Sequence, residues 1–238
     1  MNLKTGAIVG AEALVRWSHA EWGLVRPARF IPLAEETGII VQLGEWVLRE
    51  ACRQARAWLD DGLKPGVISV NLSARQFRQE KLVRMVSRIL EETKLDPAYL
   101  EMELTESMVM HNAEAAIATL QGLKSLGVTL SVDDFGTGYS SLSYLKDLPI
   151  DALKIDRAFV RDIGAGAERE EGVLAQAIIT LGHALDLKVV AEGVETDAQL
   201  RFLKRHRCDE VQGFFYGEPV APEAHARLLD RGKGKSRK

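Results

Sequence analysis

The sequence is poor in cysteine, with only Cys52 and Cys208 in 238 residues. Two cysteines so far apart cannot provide the disulfide framework of a small secreted domain or a cysteine-based zinc site. Cys52 falls in a helical pattern, and we expect it to be a buried thiol. The low cysteine content therefore excludes a disulfide scaffold and favours a reducing compartment.

Long hydrophobic runs are also missing from the sequence. No apolar stretch approaches the roughly 18 residues that a membrane-spanning helix needs. The first residues, 1–6, lack the apolar region of a signal peptide. We therefore expect no membrane segment in this chain and a cytoplasmic location.

A surplus of basic charge is the third absence. The chain carries 31 Lys and Arg against 34 Asp and Glu, a formal net charge of −3. We therefore expect that its partners do not include a nucleic-acid polymer. Residues 231–238 contain five of the basic side chains, and we expect them to form a disordered tail. The other 230 residues hold 26 basic and 34 acidic side chains, so the body of the protein has a net charge of −8.

The sequence does contain a regular alternation of short β-branched runs and longer amphipathic stretches. This alternation is typical of an α/β fold with a parallel sheet and crossover helices. No linker divides residues 1–230, so we expect a single domain there. We predict five helices, at 45–59, 75–92, 113–126, 173–185 and 197–205. We predict seven strands, one fewer than a closed eight-stranded barrel, at 8–16, 67–72, 100–104, 129–133, 152–155, 188–191 and 210–214.

Polar side chains stand at the carboxyl ends of these predicted strands. A strand buried under helices is expected to be almost entirely apolar, so the sheet itself does not explain them. Helix capping or a surface ion pair readily explains one such carboxylate. These explanations do not account for polar residues at the ends of all seven predicted strands. In a barrel these ends meet at the face where active sites lie. In chain order the residues are Glu12 with Arg16, Asn71, Glu103 with Glu106, Asp133 with Asp134, Lys154 with Asp156, Glu192 with Glu195, and Gln212.

The chemistry of this set favours divalent cations. Five carboxylates gathered without counter-charge would repel one another and take up protons. An all-oxygen donor set suits Mg²⁺ or Mn²⁺ rather than zinc. Asp133 and Asp134 are adjacent, so in a regular strand they point to opposite faces. We expect both to face one site because the pleat ends there, before Gly136 and Gly138, and such a pair can bridge two metals about 4 Å apart for phosphoryl displacement.

Lys154 lies in a run that otherwise reads as a buried strand. A buried ammonium needs anionic neighbours or it loses its proton. Two interpretations are open, Schiff-base chemistry or a charge directed at a water or a phosphate. The surrounding carboxylates favour the second.

Eight short motifs follow one another along the chain, at 12–17 (EALVRW), 30–35 (FIPLAE), 71–73 (NLS), 103–106 (ELTE), 133–141 (DDFGTGYSS), 154–156 (KID), 191–195 (AEGVE) and 212–214 (QGF). Together they resemble the motifs of the EAL-domain phosphodiesterases, which hydrolyse the bacterial second messenger cyclic di-GMP. The resemblance covers about residues 3 to 230. It implies an α/β fold of the modified (β/α)8 TIM-like barrel type. The antiparallel first strand usual in that family is missing from the region before residue 6.

The resemblance also implies metal ligands and catalytic residues. Lys154 corresponds to the residue that holds and orients the attacking water, and Glu192 and Gln212 complete the catalytic set. Asp133 corresponds to a ligand shared by two Mg²⁺ or Mn²⁺ ions. The full set of implied metal ligands is Glu12, Asn71, Glu103, Asp133, Asp134 and Glu192.

Further positions are implied to bind substrate or to support the site. The substrate-binding set is Leu14, Arg16, Gln212 and Gly213, and a guanidinium fork such as that of Arg16 suits a phosphate. Glu106 corresponds to the anchor of the loop at 135–141. Glu195 and Asp156 correspond to residues that support the ligands.

The implied activity is hydrolysis of cyclic di-GMP to linear pGpG by in-line attack of a metal-bound water, with two metals. The resemblance further implies a homodimer and sensory or GGDEF domains upstream. The alternative is a non-catalytic cyclic di-GMP receptor or scaffold within a larger signalling protein. Every metal-ligand position is filled in this sequence, which favours the enzyme. A third interpretation, an unrelated barrel lyase that uses Lys154 as a Schiff-base nucleophile, predicts no metal requirement.

Overall fold

A curled sheet of seven parallel strands forms the centre of the protein. The structure is a computed structural model that describes residues 1–110, 113–137, 142–164 and 172–235. The strand order of the sheet is β1-β4-β5-β6-β7-β8-β9, so each strand pairs with the next strand of the same sheet, while β2 (Trp17–His19) and β3 (Gly23–Val25) form a separate pair. This confirms the predicted α/β fold and its seven parallel strands. The strands are β1 Gly10–Glu12, β4 Val67–Asn71, β5 Leu100–Thr105, β6 Thr129–Phe135, β7 Ala152–Ile155, β8 Lys188–Ala191 and β9 Glu210–Val211.

Helices cover the outer face of this sheet because alternate residues of each strand point outward. In β5, for example, Leu100, Met102 and Leu104 are buried in the main hydrophobic core, while Glu103 belongs to the opposite set. The helices are α1 Pro27–Thr37, α2 Ile40–Asp60, α3 Ala74–Phe77, α4 Leu82–Thr93, α5 Glu106–Met110, α6 Ala113–Ser125, α7 Leu142–Leu145, α8 Arg157–Arg161, α9 Val173–Ala184, α10 Asp197–Arg205 and α11 Pro222–Lys235, with a short 3-10 helix at Pro97–Tyr99. Within the described residues, no helix combines the length and the apolar character needed to cross a membrane.

The first predicted strand is shorter than expected. The sheet takes only Gly10–Glu12 from the segment 8–16. The chain then leaves the sheet and forms an antiparallel hairpin of β2 (Trp17–His19) and β3 (Gly23–Val25). Gly23 has φ +64°, a conformation that glycine adopts at no steric cost. The first strand ends at Glu12, before the hairpin begins at Trp17.

The helix predicted at 75–92 is two helices, α3 and α4. Ser73 and Gln76 form a capping box that starts α3 immediately after β4. The first helix ends at Phe77, with Arg78 as its C-cap, and the second begins at Leu82. The helical pattern was correct, but hydrophobic periodicity alone does not report a one-turn interruption.

The two edges of the sheet, β1 and β9, are linked by the first residues of the chain. Asn2 forms an antiparallel bridge with Glu210, and the Val211 N–H donates to the Met1 carbonyl at 2.9 Å. The Asn2 N–H donates to the Ala7 carbonyl, so a tight turn carries the chain from β9 towards β1. One antiparallel bridge thus stands where the resemblance implies a whole strand.

The last helix includes part of the expected tail. α11 continues to Lys235, whereas we expected disorder from residue 231. Extending a helix that has already formed costs far less than starting one, so the preceding turns explain the continuation. Residues 236–238 lie outside the described residues.

Candidate active site

Lys154 is the centre of the polar cluster at the carboxyl ends of the strands. It lies on β7 and is 2% exposed. Its Nζ lies 2.6 Å from Glu103 Oε1, 2.5 Å from Glu192 Oε1 and 3.9 Å from Asp133 Oδ1. Burial alone would lower the pKa of Lys154, but these carboxylates raise it well above its usual value. Lys154 is therefore an ammonium ion, which argues against a neutral Schiff-base nucleophile.

The carboxylates around Lys154 outnumber it. Burial raises the pKa of Glu103 to about 8 and that of Glu192 to about 7, although Lys154 opposes both shifts. Burial also raises the pKa of Asp133, and it raises that of Asp134 to about 6. One ammonium cannot neutralise four neighbouring carboxylates. The cluster carries unbalanced negative charge that either protons or cations must offset.

A β-bulge brings Asp133 and Asp134 to the same cluster. Val132 pairs with Leu153 and Phe135 pairs with Ile155, so two residues of β6 lie opposite Lys154 alone. Asp134 has φ +53°, and its N–H donates to Asp133 Oδ1 at 2.9 Å. We expected the pleat to end at this point. Instead the strand continues to Phe135, and the extra residue reorients the second carboxylate.

Asp156 lies beside this second carboxylate, at the start of α8. It caps the N-terminus of α8 by accepting from the Ala158 N–H at 2.7 Å. Its carboxyl group also lies near Asp134 and, in addition to burial, contributes to the raised pKa of that side chain. The cap fixes Asp156 beside Asp134, and its implied support role stays a prediction.

Two amides hold Glu12 at the end of β1. Asn71 Nδ2 donates to Glu12 Oε1 at 2.6 Å, and Gln212 Nε2 donates to Glu12 Oε2 at 2.5 Å. These three residues come from β1, β4 and the residue after β9, on both sides of the gap in the sheet. The Glu12 carboxylate and the amide oxygens of Asn71 and Gln212 therefore lie close together, where they could act as oxygen ligands.

The loop after β6 is tied to Glu106. This glutamate, 2% exposed at the start of α5, accepts from the Gly136 N–H at 2.9 Å. Gly136 has φ +97°, and a Cβ there would lie 2.8 Å from the Phe159 ring. The contact fits the implied anchor role of Glu106. Residues 138–141 of this loop lie outside the described residues.

Four predicted residues do not converge on Lys154. Arg16 donates to the Val15 carbonyl at 2.9 Å, and Leu14 is 40% exposed just beyond Glu12. Gly213 approaches the backbone of Val194, and a Cβ on it would lie 2.2 Å from the Val194 oxygen. Glu195 is exposed. Substrate contacts of Leu14, Arg16 and Gly213 and support by Glu195 stay predictions.

The donor set fits a hard cation, although the side chains are not arranged around one. In the described ranges, no group of three or more His, Cys, Asp or Glu side chains is arranged to hold a metal ion. Lys154 Nζ lies between Glu103 and Glu192 instead. Glu103 Oε2 is buried and has no hydrogen-bond partner among the described residues. A buried acceptor without a donor, in an all-oxygen set with surplus charge, is suited to Mg²⁺ or Mn²⁺.

Sequence reasoning missed the buried Gln199 of α10. Its side chain binds the turn that follows Glu192. The signal was present as Thr196-x-x-Gln199 before a helical pattern, a capping-box spacing. A second box of the same type, Ser73 with Gln76, follows Asn71.

The comparisons with known proteins agree on one family. Residues 1–219 match the EAL domain family. The chain is 50% identical over 218 residues to the bifunctional diguanylate cyclase/cyclic di-GMP phosphodiesterase MucR of Pseudomonas aeruginosa, covering 92% of this chain and 32% of MucR. It is 48% identical over 229 residues to the cyclic di-GMP phosphodiesterase NbdA of the same species, covering 96% of this chain and 29% of NbdA.

A solved structure gives the same likeness in three dimensions. The PaMucR phosphodiesterase in complex with c-di-GMP matches with a TM-score of 0.89 and 50% sequence identity, covering 92% of this chain and 88% of that chain. The chain spans about a third of the length of the curated relatives MucR and NbdA.

Proposed function

The chain belongs to the EAL domain family, and we propose from this premise that it is a metal-dependent phosphodiesterase that hydrolyses cyclic di-GMP to linear pGpG. The observation that carries the proposal is the buried cluster at the strand ends. There Lys154 pairs with Glu103 and Glu192 beside the two aspartates of the bulge. A cluster with this surplus of carboxylates suits two cations and, through them, an anionic substrate.

Six residues would hold the two divalent cations. Asp133 lies next to Asp134 and 3.9 Å from Lys154 Nζ, which suits a shared position. When bound, the cations supply Lewis-acid activation of water and neutralise phosphate charge. The six are Glu12, Asn71, Glu103, Asp133, Asp134 and Glu192.

Lys154 and Glu192 would orient the nucleophilic water. The ammonium of Lys154 donates hydrogen bonds and the carboxylate of Glu192 accepts them, so together they fix the water on one side of the phosphorus. The water oxygen then forms a bond to phosphorus, and the opposite bond to the ribose 3′-oxygen breaks. The proton lost by the water ends on that 3′-oxygen, which gives the linear product.

Gln212 and Arg16 would bind the substrate around this reaction centre. Gln212 holds Glu12 through its amide, so it links a metal ligand to the edge of the site. Among the described residues, the Arg16 guanidinium donates to the Val15 carbonyl beside it, which leaves other N–H groups of its fork for a phosphate. Leu14 and Gly213 complete the proposed substrate-binding set.

The partners of the domain are also proposals. The relatives are about three times as long as this chain, so we propose that the domain works beside sensory or GGDEF domains in a longer protein. We further propose a homodimer and a cytoplasmic location, where a nucleotide second messenger would be available.

Product analysis tests the function directly. Purified protein is incubated with cyclic di-GMP and Mg²⁺, Mn²⁺ or Ca²⁺, and the nucleotides are separated by chromatography. We expect pGpG with Mg²⁺ or Mn²⁺, and none after chelation or in the Glu192→Ala variant. Tight binding of cyclic di-GMP without any pGpG would instead identify a receptor or scaffold.

A further inference from the structure

The turn after β8 carries Glu192 and is fixed by few contacts. The Glu192 N–H donates to the Ile155 carbonyl at 3.1 Å, and the Val194 N–H donates to the Gln212 carbonyl at 3.0 Å. Both acceptors belong to the neighbouring strands or their ends. The turn itself contains Gly193 with φ +66°, where a Cβ would lie 2.6 Å from Arg157 Cβ.

The Phe215 N–H donates to the Val194 carbonyl at 2.9 Å, and beyond Val194 the Gln199 side chain holds the far end of the turn. Gln199 Oε1 accepts from the Glu195 N–H at 2.8 Å and from the Thr196 N–H at 2.9 Å. Gln199 is 5% exposed, so water cannot easily replace it at these two donors. Without Gln199, the N–H groups of Glu195 and Thr196 lose their shared acceptor.

The capping box at this helix has two separable halves. In one half, Thr196 Oγ1 accepts from the Gln199 N–H at 3.2 Å and caps α10. In the other half, the Gln199 side chain binds the turn. The first half stabilises the helix, whereas the second half acts on the segment that carries Glu192.

We propose that Gln199 is a positioning residue for Glu192, a role that rests on the proposed function of the site. Gln199 lies outside the cluster and contacts neither Lys154 nor any proposed ligand in the described residues. It acts through the four-residue turn by fixing its exit, while Ile155 and Gln212 fix its start and middle. A displaced Glu192 carboxylate would be lost both as a ligand and as a partner of Lys154.

The test separates the two halves of the box by substitution. Gln199→Met keeps the length and volume of the side chain but removes the acceptor. Gln199→Glu restores an oxygen that can accept from both N–H groups. Thr196→Val is the matched control because it removes the helix cap and leaves the Gln199 acceptor in place. Gln199→Asn, whose shorter arm withdraws the acceptor, replaces Gln199→Met if that variant does not fold.

We expect Gln199→Met to lower kcat for cyclic di-GMP at least about tenfold, since small misplacements of a reacting group have effects of this size. KM should change less than about threefold, because no proposed substrate contact is altered. Gln199→Glu should recover most of kcat. Thr196→Val should keep kcat within about twofold of the parent chain even though its Tm falls.

A second readout does not depend on turnover. Binding of Mn²⁺, followed by the electron paramagnetic resonance signal of the free ion, should weaken at least about tenfold in Gln199→Met, the lower end of the loss usual when support of a ligand is removed. It should be unchanged in Thr196→Val. If the parent chain proves inactive, the proposed function fails, and this binding comparison alone decides the role of Gln199. Equal kcat or equal Mn²⁺ affinity in Gln199→Met and Thr196→Val would overturn the inference.

Discussion

The two ends of the parallel sheet treat charge in opposite ways. At the amino end, carboxylates and cations pair one to one near the surface. Lys124 binds Asp151 at 2.7 Å, and Lys188 binds Glu210 at 3.0 Å. At the carboxyl end, one buried lysine, Lys154, faces several carboxylates.

The amino-end aspartates also serve the backbone. Asp151 accepts from the Leu130 N–H at 2.8 Å, and Asp209 accepts from the Val189 N–H at 3.0 Å and from His183 at 2.9 Å. Each of these two aspartates connects a helix to neighbouring strands. The ion pairs and hydrogen bonds of Asp151 and Asp209 therefore stabilise the fold.

The difference indicates that the carboxyl end is less stable than it could be, which is typical of a functional site. Buried carboxylates that share one ammonium are costly to the folded state without cations. At the amino end, by contrast, Asp151 and Glu210 each have their own cationic partner. In barrel proteins generally, the amino face supports stability and the carboxyl face carries the active site.

The largest expected effect comes from comparing two lysines. Lys154→Met should reduce kcat for cyclic di-GMP by about 10³-fold or more, because it removes the ammonium that we propose to orient the reacting water. Steady-state kinetics with Mn²⁺ measures this. The matched variant at the amino end, Lys124→Met, should leave kcat within about twofold. Similar kcat values for the two variants would contradict the division between the ends.

Divalent metal should stabilise the carboxyl end specifically. Mn²⁺ at 100 times its Kd adds about 2.7 kcal/mol to the free energy of unfolding, or roughly 5 to 10 °C in Tm for a chain of this size. Thermal unfolding with and without Mn²⁺ measures the shift. Asp133→Asn should abolish it, and Asp151→Asn at the amino end should retain it. An equal shift in both variants would show that the metal binds elsewhere.

The pH dependence of stability without metal should also originate at the carboxyl end. The pKa values of Glu103 and Glu192 rise from 4.5 to about 8 and about 7. The folded state therefore holds more protons than the unfolded state above pH 4.5, so stability falls as pH rises towards 8. We expect a loss of several kcal/mol between pH 5 and pH 8 in EDTA, roughly 6 kcal/mol for the two shifts together.

Urea unfolding at several pH values in EDTA tests this slope. Glu103→Gln should flatten it, because the side chain no longer loses a proton in this range. Asp209→Asn at the amino end should leave the slope unchanged. A stability that rises from pH 5 to pH 8 would contradict the surplus of charge around Lys154.

The smallest effect is expected from the amino end itself. Asp209→Asn removes the charge opposite His183 and weakens the acceptor for Val189, at a cost of about 1 kcal/mol in the free energy of unfolding. Its kcat should remain that of the parent chain. Chemical unfolding and kinetics on the same preparation provide both values, and a large loss of kcat would give the amino end a part in catalysis.

Much of this arrangement could be predicted from the sequence. Strands buried on both faces show as apolar runs, and parallel strands place their carboxyl ends together, so the grouping of Glu103, Asp133, Lys154 and Glu192 followed from order alone. The helix at 197–205 was predicted with its observed bounds. These features depend on local patterning and on topology.

Other features depend on contacts that patterning does not encode. The bulge at Asp133 and Asp134 exists because β6 and β7 pair with an extra residue, a property of two strands together. The hairpin after β1 and the bridge at Asn2 likewise follow from tertiary packing. Gln199 was overlooked because a capping box is usually explained by the helix it begins, not by the turn before it.

A calorimetric titration with Mn²⁺ at pH 7 tests the central claim most directly, that surplus carboxylates at the carboxyl end hold two cations. Titration in two buffers of different ionisation enthalpy also counts the protons released. We predict two Mn²⁺ per chain and a net release of protons, because Glu103 and Glu192 have pKa values near or above that pH and lose protons to the metal. Binding of no Mn²⁺, or binding that persists unchanged in Asp133→Asn, would contradict it.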